Sequence, residues 1–217
     1  MNKYKLLFLF LLFISIFSRV NAFIVETPLT GKIIYLDAGH GGVDPGAYYK
    51  DIYEDDINLE IVLKLKDKIE ALGGKVYLTR ESDNDLSKKG VKRRKKSDLS
   101  NRAKLINESD CDIYLSIHLN SSIHTSWKGA QVFYDDINKE NEKIAEIFQK
   151  GFNKNLNSDK KEKEINTLYM YKNIKKPGVL LEVGFISNAN ERSKLLKDEY
   201  QYKIVDSITS SLIEILS

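Results

Sequence analysis

Between residue 32 and the C-terminus, short apolar runs alternate with amphipathic stripes, and this alternation constrains the fold more than any other feature of the chain. The runs are Lys32–Asp37, Lys75–Thr79, Asp112–His118, Ala130–Tyr134 and Val179–Val183, each the length of a strand. Residues 54–72 place Ile57, Ile61, Leu65, Ile69 and Leu72 on one helical face and stop at Gly73-Gly74. Helices are likewise predicted over 98–109, with Leu99, Ala103 and Ile106 inward, and over 138–156, with Ile144, Phe148, Phe152 and Leu156. A last helix carries Ile204, Ile208, Leu212 and Ile215. Strands spaced by helices imply a single α/β domain: a largely parallel, twisted sheet with helices on both faces. The 217 residues suffice for one such core, and 42% hydrophobic with 30% charged residues is a globular balance. With 3 Pro and 12 Gly, collagenous and low-complexity chains are excluded.

Residues 1–22 read as an export signal. Lys3 and Lys5 precede the almost wholly apolar stretch Leu6–Phe17, and Val20-Asn21-Ala22 puts small residues at the −3 and −1 positions of a cleavage site. Twelve helical residues rise about 18 Å, short of the ~30 Å bilayer core, which favours a cleaved signal over an anchor running on to Ile24. Either way residues 23–217 form the domain, outside the membrane. Lys3, Lys5 and Arg19 account for the whole formal charge of +3, so the remainder is neutral and carries no electrostatic argument for nucleic acid. Cys111 is the single cysteine, so no internal disulfide forms; it reads as a buried thiol.

Chemistry first shows at Gly39-His40-Gly41-Gly42-Val43-Asp44-Pro45-Gly46. A dinucleotide fingerprint would need Gly where Asp44 stands, and no Gly-Lys-Ser/Thr follows for a phosphate loop. The glycines instead let the chain turn at a strand end and present His40 to the crevice where open parallel sheets bind ligands. His118 closes another apolar run, so two of the three histidines take matching strand-end positions; His124, in a polar loop near Trp127, reads as an ordinary loop residue. Glu182 interrupts the apolar run Val179–Val183, and a buried carboxylate costs several kcal/mol unless it is paired or faces a polar site. Glu54 opens the long helix, where the helix dipole alone would favour it. Taken together, two imidazoles and a carboxylate leave one position of a zinc tetrahedron open, and a further free carboxylate could move a proton.

These residues sit in motifs that resemble the zinc-dependent N-acetylmuramoyl-L-alanine amidases of bacterial cell walls. The matching pieces run in order from residue 32 to about 215. They are Leu36-Asp37-Ala38-Gly39-His40-Gly41-Gly42, Asp44-Pro45-Gly46-Ala47, Glu54, Thr79-Arg80, Asn101-Arg102-Ala103, Ser116-Ile117-His118-Leu119-Asn120, Gly129-Ala130 and Leu181-Glu182-Val183-Gly184-Phe185-Ile186-Ser187-Asn188. One departure is Ala38, where the family usually has Pro. The resemblance implies one Zn2+ held by His40, Glu54 and His118, with Glu182 as catalytic acid/base. The substrate implied is peptidoglycan, cut between N-acetylmuramic acid and the L-alanine of the stem peptide.

Within the family, the chain is most similar to the germination-specific spore-cortex amidases. The similarity rests on the basic insertion Lys88–Lys96, on Gly129–Tyr134 and on the lack of a wall-binding module. It implies a role in forming the muramic lactam of cortex, and a place in the cell envelope between the forespore membranes. The neutral domain and missing targeting module add the expectation of a separate envelope protein that positions it. Seven of the nine residues Lys88–Lys96 are Lys or Arg, which reads as a solvated loop or as a surface for wall polyanions. Arg102 reads as an orienter of an active-site carboxylate or as a surface ion pair. Two other functions stay open: a zinc-dependent wall-glycan deacetylase, for which no His-x-x-x-His is present, and a non-catalytic wall-binding protein on the same fold.

Overall fold

The computed structural model describes residues 27–217, and the expected export signal lies outside them. In chain order the elements are β1 (Ile33–Ala38), β2 (Tyr48–Tyr49), β3 (Ile52–Tyr53), α1 (Glu54–Ala71), β4 (Lys75–Leu78), α2 (Arg94–Glu108), β5 (Ile113–Asn120) and β6 (Gln131–Tyr134). They continue with α3 (Asn141–Leu156), β7 (Lys163–Glu164), β8 (Gly178–Phe185), α4 (Ala189–Leu195) and α5 (Asp198–Leu216). The main sheet has six strands in the order β4-β1-β5-β8-β6-β7. β4, β1, β5 and β8 are parallel, as their helical connections require, whereas β6 runs antiparallel to β8. The sheet is therefore largely parallel with a reversed edge, because β5 reaches β6 through a loop with no helix in it.

Period-2 alternation sorts the strand residues onto two faces. On one, Ile34, Leu36 and Ala38, then Ile113, Leu115, Ile117 and Leu119, then Val179, Leu181 and Val183, join the stripes of α1, α3 and α5 in one buried cluster. On the other, Tyr35, Tyr114 and Leu180 pack with Ala103 and Ile106 of α2 and with Met170, Tyr171 and Ile174 of the segment leading into β8. Asp37, Ser116, His118 and Glu182 share the alternation of this second face. Cys111 is buried there as a free thiol.

Two expectations need correction. The basic insertion is not simply a loop: Arg94, Lys95 and Lys96 form the first turn of α2, which starts four residues earlier than predicted. Three cations oppose the helix dipole at that end, and carboxylates offset two of them, with Arg94 paired to Asp85 at 2.7 Å and Lys95 to Asp44 at 3.0 Å. A small hairpin, β2–β3, was also not anticipated; it carries Tyr48 and Tyr53 side by side and leads straight into α1.

Candidate metal centre and active site

Parallel pairing of β1 with β5 sends both chain ends to the same edge of the sheet, and the loop after β1 carries His40 there. His40 adopts a left-handed conformation, φ 61°, which turns the chain back over the edge of the sheet. β5 and β8 are also parallel and register His118 directly against Glu182, so both side chains rise from the same face. Glu54 arrives from below as the first residue of α1, in a helical turn that also holds Asp55 and Asp56. The positive end of the helix favours the carboxylate in that position.

The ligand-capable atoms of His40, Glu54 and His118 lie within 4.8 Å of one another. Glu54 Oε1 is 3.3 Å from His40 Nε2 and 3.0 Å from His118 Nδ1. A tetrahedral ion with bonds near 2.0–2.2 Å separates its ligand atoms by roughly 3–3.5 Å, so the spacing suits zinc. Close packing holds the three together. A Cβ on Gly39 would lie 2.2 Å from His118 Nε2, and one on Gly46 would lie 2.5 Å from Glu54 Oε2. Gly46 also has φ +69°, so no other residue fits either demand. The second carboxylate oxygen of Glu54 accepts from the Ala47 amide at 2.8 Å, while Oε1 accepts from the Leu119 amide at 3.1 Å.

Electrostatics fit a cation at this point. Burial opposes the charge of Glu54, but hydrogen bonds from His118 and His40 hold its carboxyl far below the usual range. Burial would lower the His40 imidazole, yet Glu54 and then Asp44 hold it above the ordinary value. Asp44 Oδ2 lies 3.1 Å from His40 Nδ1 and accepts its proton, so Nε2, hydrogen-bonded to Glu54 in the metal-free chain, is the nitrogen available to a cation. Glu182 lines the same cavity, and its Oε2 is buried without a hydrogen-bond partner. Burial, then the nearby charge of Glu54, push its carboxyl up to about 8 against a weaker pull from His40. It has no ion pair among the described residues, so the buried-salt-bridge reading of Glu182 fails.

Arg102 is also not a surface residue. It is 1% exposed, pairs with Asp37 at 2.8 Å and Asp98 at 2.9 Å, and donates to the carbonyls of Ala38 at 2.7 Å and His40 at 2.5 Å. Arg80 adds Nε to Ala38 O at 2.9 Å and Nη2 to Gly39 O at 3.1 Å. The two guanidiniums thus grip the backbone that carries His40, and both carboxylates that Arg102 pairs with, Asp37 and Asp98, line the cavity. His124 stays exposed beside Trp127, in its loop. Asp44 from the Gly-rich segment and Lys95 from the basic insertion line the cavity as well, as does Tyr171, which nothing in residue type or spacing marked in advance.

Residues 34–214 match the family described as N-acetylmuramoyl-L-alanine amidase. The germination-specific N-acetylmuramoyl-L-alanine amidase of Bacillus subtilis (strain 168) is 46% identical over 190 residues, 86% of this chain and 80% of that protein. Among solved structures, the CwlD amidase from Clostridioides difficile, in complex with the GerS lipoprotein, superposes with TM-score 0.81 at 37% identity, covering 86% of this chain and 98% of that one. The catalytic domain of CwlV, N-acetylmuramoyl-L-alanine amidase from Bacillus (Paenibacillus) polymyxa var. colistinus, gives TM-score 0.74 at 27% identity over 85% and 98%. With a family match over nearly the whole described domain, the chain belongs to the N-acetylmuramoyl-L-alanine amidase family and is an enzyme of that class.

Proposed function

We propose that the chain is a zinc amidase of spore-cortex peptidoglycan, with His40, Glu54 and His118 as metal ligands and Glu182 as acid/base. The observation that carries this reading is the convergence of His40 Nε2, His118 Nδ1 and Glu54 Oε1 beside a buried, unpartnered Glu182. Zinc, when bound, supplies Lewis acidity toward the scissile carbonyl and toward water. Glu182 takes a proton from the attacking water and returns it to the departing amine of L-alanine. To do so it must be ionised, and a cation charge beside it works against burial and Glu54, drawing the carboxyl down from about 8. Arg102 and Arg80 keep the backbone of His40 in place during this transfer.

The similarity to a germination-specific amidase supports action on cortex, with muramic lactam formation as its purpose, and a location in the envelope between the forespore membranes. No helix among the described residues is long and apolar enough to cross a membrane. The CwlD amidase structure is a complex with a lipoprotein, which supports a separate envelope protein as the positioning partner. The exposed residues Lys88–Lys96 provide a cationic margin for the carboxylates of stem peptides. Digestion of purified peptidoglycan by the zinc-loaded chain tests the reaction. New L-alanine amino termini are expected, abolished by a chelator and restored by zinc. Released acetate would instead establish a deacetylase, and neither product a binding protein.

A further inference from the structure

A chain of hydrogen bonds runs through the second face of the sheet to the metal centre, and its proton directions can be read off. Asp37 is 1% exposed and ion-paired with Arg102 at 2.8 Å, so it is an anion that only accepts. It accepts from Thr79 Oγ1 at 2.7 Å and from Ser116 Oγ at 2.5 Å. Ser116 has one hydroxyl proton, and Asp37 takes it. The contact between Ser116 Oγ and Tyr171 Oη, 3.0 Å, must therefore use the proton of Tyr171. Tyr171, 6% exposed, has then no proton left for its other neighbour, His118 Nε2 at 3.4 Å, the longest link of the chain. There it can only accept, so Nε2 is the protonated nitrogen of His118. Nδ1, 3.0 Å from Glu54 Oε1, shares its hydrogen bond with that carboxylate in the metal-free chain and is the nitrogen an incoming ion can take in exchange for that proton.

We infer that Tyr171 is a positioning residue of the metal centre: it accepts the Nε2 proton of His118 and thereby commits the Nδ1 lone pair to the site. A ring with Nδ1 protonated would point a proton where the ion belongs. The direction originates at the Asp37–Arg102 pair and passes through two hydroxyls, those of Ser116 and Tyr171. His40 has its own orienter in Asp44, so each imidazole is fixed by a separate partner. This inference rests on the proposed zinc site and adds which nitrogen serves it and what selects that nitrogen.

Two variants and one measurement on the unaltered protein test it. Tyr171→Phe keeps the ring and removes the acceptor; zinc affinity, read by competition with a chromophoric chelator, should fall about 10–100-fold. Ser116→Ala leaves Tyr171 with a free proton, which turns to His118 Nε2 and favours the wrong tautomer. It should weaken zinc at least as much as Tyr171→Phe, although Ser116 lies one residue further from the site. Simple proximity would give the reverse order. Melting of the metal-free variants separates loss of fold from loss of affinity. In the zinc-loaded wild-type chain, 15N NMR of the imidazole should show Nε2 of His118 protonated and Nδ1 bound. Zinc on Nε2, or wild-type affinity in both variants, overturns the inference while leaving the zinc site standing. A wild-type chain that takes up no zinc defeats the zinc site first and the inference with it.

Discussion

The same three strands build two unlike faces. Toward α1, α3 and α5 they offer only aliphatic side chains, all buried. Toward α2 and the segment before β8, the alternate positions hold Tyr35 and Asp37, Tyr114, Ser116 and His118, and Leu180 and Glu182. The first face is a core in which any well-shaped hydrophobe serves, and its contribution scales with area removed from water. The second is a polar network whose members depend on one another, where a missing partner leaves a charge or a proton unanswered. The polar strand residues thus lie on one side of the sheet, beside a smaller apolar cluster, while the purely aliphatic core lies on the other.

Substitutions on either face should separate these two roles. The largest effect is expected from Glu182→Gln, with turnover falling by about 10²–10⁴ while folding and zinc content persist. Glu54→Gln should lose zinc first, because a neutral amide is a poorer ligand, and excess metal should restore part of the activity. Zinc per chain, melting temperature and rate on the same preparations check both; easy loss of zinc from Glu182→Gln would show that Glu182 is itself a ligand. On the opposite face, Leu36→Ala should cost about 2–5 kcal/mol in chemical denaturation yet leave zinc affinity of the folded protein unchanged. A concurrent loss of zinc affinity would show that the faces are not independent.

The smallest effect expected is in pH dependence. The Glu182 carboxyl has a raised folded value, about 8 against the ordinary 4.5, so the stability it contributes is complete below 4.5 and lost as pH rises through 8. His40 is also raised and acts in the same direction. Metal-free protein should therefore lose up to a few kcal/mol between these limits, and Glu182→Gln should remove most of that slope. With zinc in excess the slope should reverse, since protons compete with the metal for imidazole and carboxylate. An unaltered slope in Glu182→Gln, measured by denaturant titration across the range, would refute the cause assigned here.

Most of the architecture was legible in residue order because helical and strand periods leave different apolar spacings. Ile57, Ile61, Leu65 and Ile69 could suit only one face of a helix, and the apolar runs could suit only buried strands. His40, His118, Glu54 and Glu182 stood out for a related reason: each breaks or closes a pattern that is otherwise complete. Arg102 did not stand out in this way, because an arginine on a helix gives no sign that 1% of it will be exposed. The start of α2 was hidden by Arg94-Lys95-Lys96, whose charges disfavour a helix N-terminus until Asp85 and Asp44 are brought against them.

By itself, then, the sequence determined the periodicities, the element types and the residues capable of holding a metal, since these follow from local spacing and side-chain chemistry. Only the tertiary structure decided how they meet. The reversal of β6, the contact of Lys95 with Asp44 and the path from Asp37 through Ser116 and Tyr171 to His118 all join residues far apart in the chain. Tyr171 lies 53 positions from His118, in no repeating pattern. Its hydroxyl gains meaning only when parallel pairing sets Ser116 beside Asp37 and the segment before β8 closes over both. Proton direction in a hydrogen-bonded chain is a property of the assembled partners, and no single residue carries it.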